Sequence, residues 1–284
     1  MFATIGRTWD IMKVCWGVLH KDRELIVFPI VSGIAMLILA AITFGVGSAT
    51  GALERAEAAG GSQSAAALQA ADYAFFAGIY FVGSFIVIYC NAALIGAAMI
   101  RIRGGDPSVW DGFAIANARL PGIIGWALVA ATVGLILRIL RDRARGNIVG
   151  QIILALGAGM WAYLTFMVIP VLIVDNVGPI EAIKRSGGIF KRTWGEQVTA
   201  NFGFGIISFF TVLVAAIPAV LLFFISPVIG IAVGVVTVGT VIATVAALEG
   251  IFKAALYEYV VEEVVAEDFS PDLLGGAFVP KGAR

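Results

Sequence analysis

Five long stretches without a charged side chain constrain this sequence more than any other feature. They cover residues 25–53, 73–100, 120–137, 146–174 and 197–248. A helix that crosses a lipid bilayer needs about 20 consecutive apolar residues, because each residue advances the helix by about 1.5 Å. Four of the stretches each suit one crossing. The fifth is long enough for two crossings, with a break at Ser226-Pro227.

The composition argues against a water-soluble fold. The chain is 60% hydrophobic and 13% charged, whereas soluble domains carry roughly 25% charged residues. A soluble domain would have to bury every apolar stretch at once, with too few polar residues left to cover them. We therefore predict an all-α, polytopic membrane helix bundle with six transmembrane helices. The predicted spans are Leu25–Gly47, Tyr73–Ile100, Leu120–Leu140, Ile148–Val174, Thr199–Ile225 and a last span from Pro227.

One short element occurs twice, at 5–17 and 183–195, each time before a charge-free stretch. Apolar residues at helical spacing with Lys and Arg opposite are typical of an amphipathic helix lying at a membrane surface. A cap packed on the end of the bundle is an alternative that does not exclude this one. The aligned pairs are Ile5/Ile183, Arg7/Arg185, Thr8/Ser186, Ile11/Ile189, Lys13/Lys191, Trp16/Trp194 and Gly17/Gly195. The predicted apolar face of the first copy comprises Ile5, Trp9, Met12, Trp16 and Leu19.

The pattern predicts three helix-plus-hairpin units within one transmembrane domain. Residues 108–120 resemble the repeated element only loosely, and we interpret them as a degenerate third copy. The units are then 1–100, 101–178 and 179–266, which together form a single domain over 1–266. Acidic residues outnumber basic ones from Glu258 onward. They predict a largely solvated end, with 267–284 as an acidic tail outside the domain.

The distribution of Lys and Arg predicts the orientation, because cytoplasmic loops carry an excess of both. With six crossings, fourteen of the nineteen Lys and Arg residues lie on the same side of the membrane as the two termini, and five lie on the other side. Both termini are therefore predicted to be cytoplasmic. The cluster Arg138, Arg141, Arg143 and Arg145 opposes this assignment. Either this loop is a local exception, which we favour, or 120–174 forms a re-entrant pair.

No catalytic, metal-binding or nucleotide-binding motif is present. Cys15 and Cys90 form no spacing motif, and His20 is the only histidine. The net charge is zero, which argues against a basic nucleic-acid surface. We expect no enzyme activity, no cofactor, no metal and no nucleic-acid partner.

Ionisable or amide side chains inside apolar spans are costly and therefore default to candidate sites. Asn91, Glu249 and Lys253 are predicted as a polar intramembrane site. The alternatives are an intrahelical Glu249–Lys253 ion pair and an interhelical hydrogen bond of Asn91. A second predicted set would contact lipid headgroups at the interface. It comprises Arg7, Lys13, Trp16, Arg185, Lys191 and Trp194.

Four sequence motifs resemble a family of uncharacterised prokaryotic six-helix integral membrane proteins, a domain of unknown function. They are the stretch from Arg7 to Pro29, Gly178–Ser186, Thr193–Glu196 and Gly250–Tyr257. The Arg-Ser…Trp-Gly element is also distantly similar to the membrane domain of some glycerophosphodiester phosphodiesterases. The resemblance implies a multi-pass protein of a bacterial or archaeal inner membrane and supplies no substrate or catalytic residue.

Three functional classes follow. We favour a non-catalytic protein that organises membrane lipids, or a protein partner or homo-oligomer, through its interfacial helices. A small-solute permease or channel is the alternative, and an intramembrane enzyme is the least supported. An aqueous cavity that reaches mid-membrane would favour transport, whereas a dry bundle with a lipid-lined groove would favour the first class.

Overall fold

The computed structural model describes residues 2–60, 68–144, 146–192 and 196–262. These residues form eleven α-helices and one 3-10 turn, with no strand among them. The elements are α1 Phe2–Lys21, the 3-10 turn Arg23–Ile26, α2 Val27–Ala49, α3 Ala52–Gly60, α4 Ala70–Ile102, α5 Val109–Ala118, α6 Leu120–Arg143, α7 Ile148–Leu164, α8 Val168–Asp175, α9 Pro179–Arg192, α10 Glu196–Phe223 and α11 Pro227–Val261. The predicted tail, 267–284, lies outside the described residues.

Five segments are long and apolar enough to cross a membrane, which indicates a multi-pass membrane protein. They are Arg23–Ala49, Ala70–Ile102, Leu120–Arg143, Ile148–Asp175 and Pro227–Val261. The remaining predicted span falls in α10, where Ile207–Phe223 is a shorter apolar helical segment. The all-α prediction is confirmed for the described residues.

Burial is concentrated at one end of the bundle. The last turns of α4 and α11 are buried almost completely, over 92–99 and 250–258. Residues of α1, α5 and α8 pack against them in one cluster. The other half of the spans exposes large apolar side chains such as Phe44 and Leu156. Such a surface is stable only against lipid, because in water it would drive association.

Three groups of polar contacts, together called the ionic layer here, lie at this packed end. The Asp22 carboxylate lies 2.8 Å from Arg101 Nε, and the Glu258 carboxylate lies 2.8 Å from Arg103 Nη2. The Tyr257 hydroxyl donates to Asp175 Oδ1 over 3.0 Å. Asp175 Oδ2 accepts from Arg185 Nη1 over 2.6 Å. The ionic layer thus consists of Asp22, Arg101, Arg103, Asp175, Arg185, Tyr257 and Glu258. It brings α9 and the chain that follows α1 to the same end.

The sequence prediction for Glu258 was wrong. Its side chain is 0% exposed, whereas the acidic composition predicted a solvated position. The reason is helical register, because Glu258 continues the buried face of Ile251 and Ala255 and finds Arg103 at the end of α4. A carboxylate with a guanidinium partner can be buried where an unpaired one cannot.

The packed face of α1 overlaps the predicted one in part, because Met12 and Leu19 of the predicted face are buried whereas Trp9 and Trp16 are not. Ile11, Cys15 and Val18 are buried, and the helix packs against α11 and α10. Trp16 keeps 53% of its surface exposed, and Trp9 does so to a similar degree. The helix therefore has two apolar sides. The narrow side centred on Cys15 meets protein, and the tryptophans border the basic side.

Residues 108–120, interpreted as a degenerate third copy, form α5 after a turn at Gly104 with φ +85°. Ser108 caps this helix by accepting from the Asp111 backbone N–H over 3.3 Å. The Val109 N–H donates to Glu24 over 2.9 Å, which fixes α5 beside the start of α2. A Cβ atom at Gly112 would lie 2.4 Å from the Phe28 ring. Only glycine therefore permits this contact.

The predicted span Ile148–Val174 is interrupted at 165–167, between α7 and α8. The Met167 N–H, freed by the interruption, donates to Ser186 Oγ of α9 over 3.1 Å. Both residues are buried. Pro170 lies in the first turn of α8, where it has no N–H to donate and where its ring would clash with the Phe166 carbonyl in a continuous helix. The sequence therefore carries a local cause of the interruption, and Ser186 supplies the backbone partner that Met167 lacks.

Candidate functional site

A groove of about 1020 Å³, open along one side, runs between α2, α4 and α11. One wall is α2 between Pro29 and Leu37, and the other is α11 between Gly234 and Lys253. The floor is α4 between Val87 and Leu94. Ligand pockets usually measure about 300–1,000 Å³, so this groove has room for a sizeable ligand.

Glycines determine where the helices meet and where they leave space. A Cβ atom at Gly250 would lie 2.4 Å from Leu94 Cδ2, so α4 and α11 can touch here only because the residue is glycine. Gly33 and Gly239 line the groove, and an added Cβ at either position meets nothing within 4 Å. The helices are thus in contact at the packed end and separated by open space further along.

The three residues predicted as an intramembrane site all line this groove. Lys253 Nζ lies 2.7 Å from Glu249 Oε1 and 5.0 Å from the centroid of the Phe166 ring. Asn91 Oδ1 lies 3.8 Å from the position of a Cβ on Gly250, and is therefore beside the helical turn that carries Glu249. The structure brings Asn91 of α4 together with the ion pair of α11.

The polar side chains lie at different depths below the ionic layer. With a rise of about 1.5 Å per residue along α11, Lys253 is about 8 Å and Glu249 about 14 Å below Glu258. Along α4, Asn91 is about 18 Å below Arg103. The hydrocarbon core of a bilayer is about 30 Å thick. The polar end of the groove therefore lies within the apolar length of the helices.

Most hydroxyl groups around the groove are already satisfied by their own helices. Thr240, which lines the groove, donates to the Val236 carbonyl over 2.7 Å, and Thr244, one turn further along α11, donates to the Thr240 carbonyl over 2.8 Å. Ser32 of α2, which also lines the groove, shares a hydrogen bond with the Cys90 thiol. In contrast, no hydrogen-bond partner of the Asn91 amide is found among the described residues. Within the same residues the Glu249 carboxylate contacts only Lys253. Asn91 and Glu249 are thus the groups that the groove offers to a ligand.

The rest of the groove is apolar. Ile30 and Leu37 of α2 face Val236 and Ile242 of α11 across it, and all four side chains are exposed at the protein surface. The groove is therefore amphipathic, with aliphatic walls along its length and a carboxylate and an amide near its packed end.

A second cavity of about 800 Å³ lies between α2, α4 and α6. Its threonine and serine hydroxyls bond to their own helices, since Thr43 donates to the Leu39 carbonyl and Ser84 to the Tyr80 carbonyl. Its described lining therefore offers one phenol hydroxyl, that of Tyr80, among apolar side chains. The groove, which presents a carboxylate and an amide, is the better candidate site.

The predicted headgroup residues are only partly described. The side chains of Arg7 and Lys191 lie outside the described part of the chain, as does Trp194 entirely. Lys13 is exposed and lies 3.4 Å from Asp10, while Trp16 is half-exposed beside it.

Arg185 differs from Lys13 because two carboxylates already hold it. Its guanidinium lies 2.6 Å from Asp175 and 3.3 Å from Glu181. These hydrogen bonds, the one from Asp175 first, raise the pKa of Arg185 above its ordinary value. Arg185 is therefore a member of the ionic layer, and its contact with a lipid phosphate stays a prediction.

The two cysteines are buried and unpaired. Burial raises the pKa of the Cys15 thiol above its ordinary range, which keeps it protonated and poorly nucleophilic. Among the described residues there is no group of three or more His, Cys, Asp or Glu side chains that would suit a metal ion.

Sequence reasoning missed the contacts that organise the packed end. Glu258, Asp22 and Ser186 are all buried, although each belongs to a residue type that is mostly exposed. The helical spacing of Glu258 from Ile251 and Ala255 would have indicated its buried face. Nothing local indicates that Ser186 completes the backbone of α8.

Comparison with known proteins gives a family and no characterised relative. A family model described as a family of unknown function matches residues 70–266, from α4 to the end of α11 and slightly beyond. Neither the curated proteins nor the solved structures contain a match to the chain. Membership in an uncharacterised family is therefore confirmed. The likeness to the phosphodiesterase membrane domain and the prokaryotic origin stay predictions.

Proposed function

The chain belongs to the family of unknown function DUF6159, and we propose from its geometry that it is a non-catalytic integral membrane protein that holds a membrane lipid in the groove between α2, α4 and α11. The observation that carries this proposal is the groove itself. It is apolar along about 1020 Å³ and presents Asn91 and Glu249 near one end.

The surroundings of the groove favour a lipid over a water-soluble ligand. Its walls consist of exposed aliphatic side chains on helices long enough to span a membrane, so acyl chains reach it from the side. Transfer of a chain from bilayer to groove brings no hydrophobic gain, because lipid tails are as apolar as leucine. Selectivity must therefore come from the polar groups at the end.

We also propose that the chain crosses the membrane six times, as three helix-plus-hairpin units that have the same orientation. The order of elements supports it, because α1, α5 and α9 each precede a pair of long apolar segments. The helices α1, α5 and α9 each end or begin near the ionic layer, as expected for helices that lie at one membrane surface. The excess of Lys and Arg supports cytoplasmic termini and an inner-membrane location.

The arginine-rich loop is best explained as an exception to the charge rule. Helix α6 has 24 residues, which gives it a length of about 36 Å, enough to cross about 30 Å of hydrocarbon. A re-entrant segment would be shorter. Arg138, Arg141 and Arg143 at its end are exposed, and long arginine side chains reach the interface from a helix end.

The interfacial elements extend the proposal to lipid organisation. Trp9, Trp16 and Trp110 are exposed on helices at the packed end. Amphipathic tryptophans of this kind sit at headgroup level in membranes. A ring of such helices would fix the bundle in one leaflet and order the lipids, or a protein partner or second copy, around it.

A small-solute permease is the second candidate, and the interrupted helix α7–α8 favours it. Helices broken at membrane depth line the substrate sites of many transporters. Here Phe166 in the interruption lies beneath Lys253, so the break adjoins the polar end of the groove. Uptake of a solute into vesicles that contain the pure protein would distinguish this candidate.

Filling the groove tests the lipid proposal. Gly239 lines the groove with open space around it, so Gly239→Phe should occupy the space without a clash. We expect native mass spectrometry of the purified Gly239→Phe protein to detect about fivefold less bound lipid than on the unaltered protein, because the phenyl ring occupies the space of an acyl chain.

Gly157→Phe is the matched control, since Gly157 is exposed on α7 with nothing within 4 Å of an added Cβ and does not line the groove. It should retain as much lipid as the unaltered protein. Equal retention by both variants, with unchanged unfolding temperatures, would contradict a lipid site in the groove.

A further inference from the structure

Building on that proposed function, we propose that the groove selects an uncharged lipid with a hydroxyl headgroup, of the diacylglycerol type. The hydroxyl donates to the Glu249 carboxylate and accepts from the Asn91 amide NH2 group. Three observations carry this assignment: the unmet hydrogen-bonding capacity of two neighbouring side chains, the charge balance of the site, and its depth.

The first observation concerns hydrogen bonding. Native proteins pair the large majority of polar groups that are removed from water. Around the groove, the threonine hydroxyls obey this rule through their own helices. Among the described residues Asn91 has no partner, and the Glu249 carboxylate has only Lys253. A carboxylate accepts hydrogen bonds and an amide both donates and accepts, so a hydroxyl suits the two together.

The second observation concerns charge. Glu249 and Lys253 neutralise each other at 2.7 Å, and a further charge from the ligand would leave the site with a net charge in a medium of low dielectric. The two side chains also differ in how much of their surface is exposed. Glu249 is 40% exposed and Lys253 is 15% exposed, with its ammonium covered by the carboxylate and the Phe166 ring. A phosphate would therefore meet the carboxylate before the ammonium.

The third observation concerns depth. Glu249 lies about 14 Å and Asn91 about 18 Å below the ionic layer along their helices. Phosphate groups of bilayer lipids lie outside the hydrocarbon core. A phospholipid at the groove would keep its phosphate near the ionic layer and place esters and chains beside Asn91. A lipid without a phosphate can bring its hydroxyl down to both side chains.

Titration of the purified full-length protein tests this assignment. The protein is delipidated in detergent and titrated with dioctanoylglycerol, and in parallel with phosphatidylglycerol and phosphatidylethanolamine of the same chain length. Native mass spectrometry measures the apparent Kd of each. We expect dioctanoylglycerol to bind most tightly and Asn91→Leu, which keeps the side-chain size, to weaken it about tenfold.

Thr240→Val provides the matched control. It removes a hydroxyl from the same groove, but that hydroxyl already donates to Val236, so dioctanoylglycerol affinity should stay within about twofold. Asn91→Ala repeats the measurement if Asn91→Leu lowers the yield of folded protein.

The outcomes separate the two proposals. Tighter binding of either phospholipid, or unchanged affinity in both Asn91 variants, would overturn the headgroup assignment. In either case, lipid binding that Gly239→Phe weakens would still support the proposed lipid site in the groove. Absence of binding by all three lipids would overturn both.

Discussion

Among single residues, Glu258 shows most clearly what a buried charge requires in this protein. Its carboxylate is fully buried, and both oxygens accept from Arg103 Nε over 3.1 Å. The same hydrogen bonds raise the pKa of Arg103. Breaking such a pair from one side is costly, because the remaining charge stays in the interior without a partner.

We therefore expect Arg103→Ala to destabilise the protein by about 2 kcal/mol, less than the roughly 3–5 kcal/mol of a fully buried pair, because water reaches about half of the arginine side chain. Thermal unfolding of the purified protein in detergent measures the loss. Lys13→Ala is the control, since its pair with Asp10 is exposed on both sides and should contribute little. Equal effects of the two substitutions would refute the structural role of Glu258.

The candidate site belongs to the same scale. Asn91, Glu249 and Lys253 stand out in the sequence because polar residues are rare in apolar spans. The sequence predicts the three as one site but contains no information about the contact that brings them together, which is the register in which Gly250 of α11 touches Leu94 of α4. A shift of α11 by one residue would turn Glu249 by about 100° and away from the groove.

At the scale of elements, the interruption between α7 and α8 follows from Pro170, whose ring would clash with the Phe166 carbonyl in a continuous helix, and it is completed by α9. Ser186 accepts the hydrogen bond that the Met167 N–H has lost within its own helix. Without the hydroxyl this buried donor has no partner, an arrangement that resembles the loss of a helix N-cap.

Ser186→Ala should accordingly destabilise the protein by about 1 kcal/mol, as a lower unfolding temperature in detergent would reveal. Ser84→Ala is the comparison, because Ser84 donates to the Tyr80 carbonyl of its own helix, which keeps its backbone partner when the hydroxyl is removed. If Ser84→Ala lowers stability as much as Ser186→Ala does, the cap on α8 is not what holds the interruption.

Helix α1 shows how far amphipathic patterning extends. The pattern of 5–17 predicts a helix, and the chain forms one over Phe2–Lys21. It does not distinguish apolar residues that pack on protein from those that face lipid. Cys15 is buried against the bundle, while Trp16, its neighbour, is not. Both are apolar, and only the position of α11 and α10 decides between them.

At the scale of the whole molecule, the bundle is packed at the ionic layer and loose at the other end. Only α4 has most of its apolar window buried, at 61%, whereas the windows of the other candidate spans are 11–22% buried. α4 is thus the central helix, and the grooves lie along it where its neighbours diverge. Lipid is the medium that makes this loose half stable.

The proposed topology makes a prediction at this scale. Glu57 is exposed in α3 and Asp10 is exposed in α1, at opposite ends of the molecule. Glu57→Cys should react with a membrane-impermeant thiol reagent in intact cells, and Asp10→Cys only after permeabilisation. The unaltered protein serves as the control, because Cys15 and Cys90 are buried and should remain unlabelled. The opposite pattern of labelling would reverse the orientation that we infer from the positive charges.

The sequence by itself determined the environment and the helical elements. Long charge-free stretches can satisfy their backbone in lipid only as helices, so the class of protein, the approximate spans and the scarce polar candidates follow from local pattern. The tertiary structure alone decided which helix is central, that Ser186 completes the break between α7 and α8, that Arg103 is the partner of Glu258 and in which register Asn91 meets Glu249. The physical reason is that each of these depends on contacts between distant segments, such as Gly250 against Leu94 and Ser186 against Met167, and periodicity along one helix contains no information about the register of its neighbour.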